Sequence, residues 1–242
     1  MAGRDYALAV IPARGGSKGL PRKNLLTLGR LSLIGHALAS AREAKRLTRT
    51  LVSTDDPEIA AEARRHGGDV PFVRPPELAS DEAGMIAVLQ HAVRWLETTG
   101  GATPDLVVLL QPTSPFRTGA DIDATIDKVV STGADSAQTL VPVGYHPFFM
   151  STLDGDRVRP LFPEHVGTYS RRQDPPPIYQ PSGSVYVTRR HVLMDEGRIL
   201  GADHCGLVMG YEASVKIDTA WEFKLAEIVL ASGRAPIPAE RR

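Results

Sequence analysis

The 242-residue chain has a single cysteine, Cys205, which excludes an internal disulfide and a cysteine-built metal cluster. It has no surplus of either charge: 28 Lys and Arg stand against 28 Asp and Glu. Proteins that grip nucleic acid non-specifically draw on a basic surplus, so nucleic acid is not expected as a partner. No apolar run approaches the ~20 residues of a membrane span, and residues 1–10 lack the apolar stretch of a secretory leader. A cytoplasmic protein with no membrane partner is expected. The seven histidines show no H-E-x-x-H or Ser-His-Asp spacing. His36 is expected at a helix edge and His66 in a last turn, where a cation suits the helix dipole. Both common phosphate signatures are missing too, because Gly15 and Gly16 are adjacent and no Lys directly follows the second glycine of a P-loop.

What is present is an apolar strand, Tyr6 to Ile11, running straight into Pro12-Ala13-Arg14-Gly15-Gly16-Ser17-Lys18-Gly19-Leu20-Pro21-Arg22-Lys23-Asn24. Glycines let backbone N–H groups turn toward a ligand, and Arg14, Lys18, Arg22 and Lys23 would offset a polyanion. The stretch reads as a triphosphate cradle at the carboxyl end of an early strand, where open α/β sheets bind ligands. Ser17, in this cationic setting and without a G-x-S-x-G elbow, is no hydrolase nucleophile.

Strand and helix then alternate. Ser32 caps a helix with Leu33, Ile34, Ala37, Leu38 and Ala41 on one face. Residues 51–54 read as a strand, and Asp55-Asp56-Pro57 starts a helix ending near Gly67. Residues 70–73 read as a short strand. Met85, Ile86, Leu89, Ala92, Val93 and Leu96 line a further helix, and 106–110 form the most apolar strand. Ile122, Ile126, Val129 and Val130 share one side of the next helix. Residues 183–188 and 215–218 read as strands. Thr219 and Glu222 form a capping box for a last helix with Trp221, Leu225, Ile228 and Val229 inward. This order predicts an α/β protein with a mostly parallel, doubly wound sheet. Between 144 and 181 prolines, aromatics and charges crowd together without helical period, as in an arm that packs on another subunit or in a lid.

Four segments fall at or just past strand ends: the 14–24 loop, 74–81, the turn at Gln111, and Asp218. Phosphoryl-type transfer needs groups that position and offset charge, with Arg and Lys on phosphates and a carboxylate on a metal. Taken singly, Arg74 could be a solvated residue before Pro75, Gln111 a strand-end amide and Asp218 a backbone partner; their joint placement favours one site. The loop, Leu78-Ala79-Ser80-Asp81, Leu110-Gln111-Pro112-Thr113-Ser114-Pro115-Phe116-Arg117 and Ile217-Asp218-Thr219 resemble, in order, the signatures of the acylneuraminate cytidylyltransferases.

The resemblance implies a Rossmann-like nucleotidyltransferase fold, a single domain over 1–242 with 144–182 as a dimerisation and acceptor-side insertion, and a homodimer. It implies that the hydroxyl of an acidic sugar attacks the α-phosphate of CTP with magnesium, or manganese, as cofactor. Arg14, Lys23 and Asp218 would be catalytic, with Asp218 also the metal ligand. Gly15, Gly16, Ser17, Lys18, Asn24, Arg74, Ser80, Asp81 and Gln111 would hold the nucleotide, and Gln111, Arg172 and Tyr179 the acceptor. The chain departs from the family pattern at Lys216, where many members carry a second acidic residue, and on the acceptor side at Phe149, Gln180 and Ser182. An ammonium cannot ligate magnesium, so Lys216 leaves Asp218 as the carboxylate for one ion. The alternatives are cytidylyl transfer to another acidic acceptor, such as a different 2-keto-3-deoxy acid or a phosphonate, and a nucleotide-binding homologue without turnover.

Overall fold

Strand β1 (Ala7–Pro12) is apolar at every position because both of its faces are covered. In the computed structural model, which describes residues 5–99, 102–238 and 241, its neighbours follow in alternation. The first four positions of the stretch read for a leader lie outside the described residues. A small hairpin, β2 (Thr27–Leu28) and β3 (Leu31–Ser32), leads into α1 (Leu33–Glu43). Then come β4 (Arg49–Ser53), α2 (Pro57–Arg65), α3 (Met85–Thr98), β5 (Leu106–Leu109), α4 (Gly119–Thr132) and β6 (Ser136–Pro142). An exposed hairpin, β7 (Ser151–Asp154) and β8 (Arg157–Pro160), precedes β9 (Tyr179–Arg189), α5 (Arg190–Met194), β10 (His204–Val208) and α6 (Ala220–Ala231).

Six strands form the main sheet in the order β10-β6-β9-β5-β1-β4. Strand β1 pairs in parallel with β4 and β5, β6 pairs in parallel with β10, and β9 runs antiparallel between β5 and β6. The mostly parallel sheet expected from the alternation is therefore observed, with one reversed strand. Along β1 the side chains divide by parity. Ala7, Ala9 and Ile11 pack with Ile34, Ala37, Ile59, Ile122 and Ile126 of α1, α2 and α4, while Leu8 and Val10 pack with Leu89, Ala92, Val93 and Leu193 of α3 and α5. Helix layers on both faces make the sheet doubly wound.

Local signals behave as expected at three helix starts. Ser32 Oγ accepts from Gly35 N, Asp56 accepts from Glu58 N and Ile59 N, and Thr219 with Glu222 forms the capping box of α6. Elsewhere the structure corrects the reading. Residues 70–73 are not a strand: Pro71 interrupts them, and only an isolated bridge from Asp69 to Leu51 remains. Residues 215–218 form no strand and are held instead by Ile217 N donating to Thr113 O at 2.9 Å. Val130 is exposed. On α6 three residues of the expected inward stripe face out, with Trp221 74%, Leu225 40% and Ile228 54% exposed, while Val229 packs inward as expected and Ala226 is buried against Leu28, Leu33 and Phe116. The stretch 144–181 is not wholly aperiodic, since it carries the β7–β8 hairpin.

His36 is fully buried rather than at a helix edge, with Nε2 donating to the Leu28 carbonyl at 2.8 Å. Burial, with Arg241, His66 and Arg117 nearby, pushes its pKa from 6.5 down to about 4. The unfolded chain therefore binds a proton there that the folded chain does not, so stability is full above about pH 6.5 and declines as pH falls toward about 4. This group should remove about 2 kcal/mol of unfolding free energy between pH 7 and pH 5. Urea unfolding of the parent and of His36→Gln checks it: the variant should lose that share of the pH slope, and equal slopes would contradict the assignment.

Candidate functional site

At the carboxyl ends of β1 and β5, five cations and two carboxylates line one cavity of about 590 Å³. The cations are Arg14, Lys18, Lys23, Arg74 and Lys216, and the carboxylates are Asp81 and Asp218. Strands β4 and β5 lie on opposite sides of β1, so the loops that follow them diverge and open a crevice, as at the switch point of other open α/β sheets. Leu78, Met85 and Val88 add an apolar wall. Helix α3 begins beside it at Gly84 with no side-chain cap, so its positive end faces the same space.

Each carboxylate holds two cations. Arg14 Nη2 and Lys18 Nζ lie 2.8 and 2.5 Å from the two oxygens of Asp81, and Arg14 Nη1 also donates to Ser80 O at 2.9 Å. Lys23 Nζ and Lys216 Nζ lie 2.7 and 2.8 Å from the two oxygens of Asp218. Partial burial alone would raise the Asp218 carboxyl; the hydrogen bonds from Lys216 and Lys23 more than reverse this and hold it below the usual carboxylate range. Lys18, with support from Arg14, likewise depresses Asp81.

Local structure fixes these groups. Asn24 Nδ2 donates to Arg14 O at 3.0 Å, closing the loop on itself, and Gly15 N donates to Asp55 Oδ1 at 3.1 Å. A Cβ on Gly19 would sit 2.6 Å from the Asp218 carbonyl oxygen, so only glycine lets the loop touch the Asp218 segment. Asp218 N donates to Glu222 Oε2 at 2.8 Å, seating the carboxylate just before α6. Arg74 is buried, with Nε donating to Ser53 Oγ at 3.0 Å and Nη2 donating to Ser53 O. Burial pushes its pKa down to about 10. Arg117 is wholly buried beneath the Gln111 turn, donating to Gln111 O, Ser184 O and Ser40 Oγ.

Of the residues singled out in the sequence, Arg14, Ser17, Lys18, Lys23, Asn24, Arg74, Ser80, Asp81, Gln111 and Asp218 all line the cavity. Gly15 and Gly16 lie in the loop but not on the lining. Arg172 and Tyr179 are also outside it: the Arg172 guanidinium lies 5.6 Å from the Tyr145 ring centroid in the arm, and Tyr179 is an exposed residue at the start of β9. Sequence reasoning missed Gly19, Thr113, Thr219 and the apolar wall as lining residues. Their one sequence signal was adjacency to motifs already noticed.

The profile of the cytidylyltransferase family matches residues 8–198. The CMP-N,N'-diacetyllegionaminic acid synthase of Legionella pneumophila is 32% identical over 91% of this chain and 94% of its own length. The N-acylneuraminate cytidylyltransferase of Escherichia coli O18:K1:H7 is 29% identical over 92% of this chain and 52% of that longer protein. A solved CMP:2-keto-3-deoxy-manno-octonic acid synthetase complexed with CTP superposes with a TM-score of 0.70 at 18% identity, covering 94% of this chain and 99% of that one. The last likeness supports the fold, the Rossmann-like nucleotidyltransferase arrangement seen here. With a profile matched over most of its length and the cation-lined cavity at its sheet's switch point, the chain belongs to the cytidylyltransferase family and is a nucleotidyltransferase.

Proposed function

We propose that the protein transfers CMP from CTP to the hydroxyl of an acidic nonulosonic sugar of the N-acylneuraminate or legionaminate type, releasing pyrophosphate. The observation that carries this reading is the convergence of five cations on one cavity that holds only two carboxylates. Arg14, Lys18 and Lys23 take the triphosphate, exchanging Asp81 and Asp218 for phosphate oxygens. Gly15, Gly16, Ser17 and Asn24 shape the loop, with Arg74, Ser80 and Asp81 on the nucleotide side and Gln111 between nucleotide and acceptor. The acceptor oxygen bonds to the α-phosphorus, the bond to the bridging oxygen breaks, and pyrophosphate leaves with that electron pair while the hydroxyl proton is released. A CTP-consuming reaction of this kind belongs to the cytoplasm.

Magnesium, or manganese in its place, is the expected cofactor. Among the described residues no three His, Cys, Asp or Glu gather into a metal site, and both Asp218 oxygens hold ammonium groups. The residues therefore fit an ion that arrives with CTP, taking Asp218 as its one protein carboxylate and completing its shell with phosphate oxygens and water. When bound it would offset negative charge on the triphosphate.

The arm, 144–182, supports a homodimer. Tyr145, Phe149, Leu153, Val158, Leu161 and Val166 are exposed on it, an apolar surface that a second copy of this chain would cover. Arg172 and Tyr179, outside their own chain's cavity, would then complete the partner's acceptor side, and closure by the arm would exclude water from a step that competes with hydrolysis.

Product analysis after incubation with CTP, magnesium and a panel of acidic sugars should show a CMP conjugate and pyrophosphate; absence of both for every acid overturns the reading. Arg14→Ala and Lys23→Ala should each lower kcat/KM for CTP by about tenfold or more, equivalent to about 1.4 kcal/mol. Excess chelator should abolish product, and Asp218→Ala should cut turnover by about 100-fold, in kinetics that unchanged rates would refute. Sedimentation at micromolar concentration should give a dimer; a fully active monomer would remove the arm from the site.

A further inference from the structure

Lys216 stands apart from the other cavity cations. Lys23, from the loop after β1, holds one oxygen of Asp218, and Lys216, two residues before Asp218, holds the other. Its aliphatic stem lies beside Gly183 of β9: a Cβ placed on Gly183 would lie 3.5 Å from Lys216 Cδ, 3.8 Å from its Cε and 3.7 Å from Gln111 Oε1. Gly183, at φ 79°, has the backbone conformation that glycine adopts freely, and the Lys216 stem passes it at ordinary contact distance. The Lys216 side chain is 45% exposed, so its ammonium can exchange Asp218 for another anion without leaving the cavity wall.

The sides of Asp218 thus differ. The Lys23 side belongs to the loop that takes the triphosphate, and the Lys216 side belongs to β9 and Gln111. In-line displacement brings the attacking hydroxyl from the side opposite the departing pyrophosphate. In the acceptor class proposed above, that hydroxyl and the carboxylate are borne by the same carbon, so a group that receives one must find the other immediately beside it. We infer that Lys216 binds the acceptor's carboxylate and selects an acid over a neutral sugar, while the Asp218 oxygen it gives up faces the attacking hydroxyl. This assignment rests on the proposed transfer to an acidic sugar and names the residue that reads the acid. Arg172 is not the carboxylate's partner within one chain, because it does not reach the cavity.

The test compares the parent, Lys216→Met and Lys216→Arg, using CTP, magnesium, the acid found active in the product panel, and that acid's carboxamide. The parent should favour acid over amide in kcat/KM by about tenfold or more. Lys216→Met should raise KM for the acid by about tenfold and bring the acid-to-amide ratio to within about twofold of unity. Its CTP affinity by calorimetry should stay within about twofold, which also reports that the variant is folded. Lys216→Arg should recover part of the preference. A Lys216→Met enzyme with the parental acid-to-amide ratio, or one whose CTP KM rises while acceptor KM does not, overturns the assignment alone, the latter result giving Lys216 to a phosphate instead. A parent that yields no CMP conjugate from any acid overturns the proposed function, and this assignment with it.

Discussion

Confinement of β1 between two helix layers decides where the loop that follows it must emerge. Ala7, Ala9 and Ile11 are fixed on one face and Leu8 and Val10 on the other, so the strand has no freedom to rotate or slip by a residue without exposing one of those sets. Its parallel partners then carry their own carboxyl ends to the same edge of the sheet. Gly15 is tied to Asp55 just after β4, Arg74 is anchored on Ser53 at the end of β4, and Gln111 lies just past β5, after Leu110. The mobile-looking glycine loop is thus set on three rigid strand ends, which is how a loop can hold charged groups at reproducible separations.

Arg117 performs the corresponding task beneath the Gln111 turn. It is completely buried, and its hydrogen bonds go to carbonyls and a hydroxyl, with no carboxylate among the acceptors. Burial pushes its pKa down to about 9, the physical sign that its charge is costly there. What it provides is a cross-link between the turn after β5, strand β9 and α1. Gln111 and Gly183 are held in register by it, and Arg241 adds donors to the carbonyls of Arg117 and Pro115. Replacing Arg117 with an apolar side chain would take its donor from the buried Ser184 carbonyl and Ser40 hydroxyl, a larger penalty than the loss of any surface ion pair.

Features set by local chemistry were legible in the sequence. Continuous apolar β1, the N-caps Ser32, Asp56 and Thr219, and the amphipathic α3 needed only neighbouring residues to be read. What escaped depends on distant partners. Strand β6 carries buried Ser136, Gln138 and Thr139, the first and last of them compensated by hydrogen bonds such as Ser182 Oγ to Thr139 Oγ1 at 2.7 Å and Gly201 N to Ser136 Oγ at 2.9 Å, so no apolar period announces it. Strand β10, His-Cys-Gly-Leu-Val, is a sheet edge with little to bury. Helix α6 is apolar around most of its circumference, so periodicity could not choose its inward face; the capping box and the Ile217 anchor set its rotation instead. In the site, the sequence brought together the cations and Asp218 through their motifs. It could not show that Arg172 and Tyr179 lie outside the cavity, because a long irregular arm has no local rule for where it folds back.

The paired charges also explain how a site built from so many cations can persist without its ligand. The side chains of Asp81 and Asp218 are 43% and 44% exposed, so each of their ion pairs is screened and worth at most about 1 kcal/mol. They aim Arg14, Lys18, Lys23 and Lys216 into the cavity without binding them firmly, and on the proposed chemistry incoming anions, which offer each cation a charge-assisted bond, would displace them at little cost. Asp218 makes the two halves of the site interdependent. Its carboxylate has only two oxygens, one held by Lys23 of the loop after β1 and one by Lys216 beside Gly183. Drawing Lys23 onto phosphate leaves Lys216 as the remaining counter-charge, and drawing Lys216 onto a second anion frees the carboxylate entirely. On the proposed chemistry, the carboxylate is therefore fully exposed to a metal-bearing phosphate and an attacking hydroxyl only when both substrates are in place, a condition that disfavours hydrolysis of CTP alone.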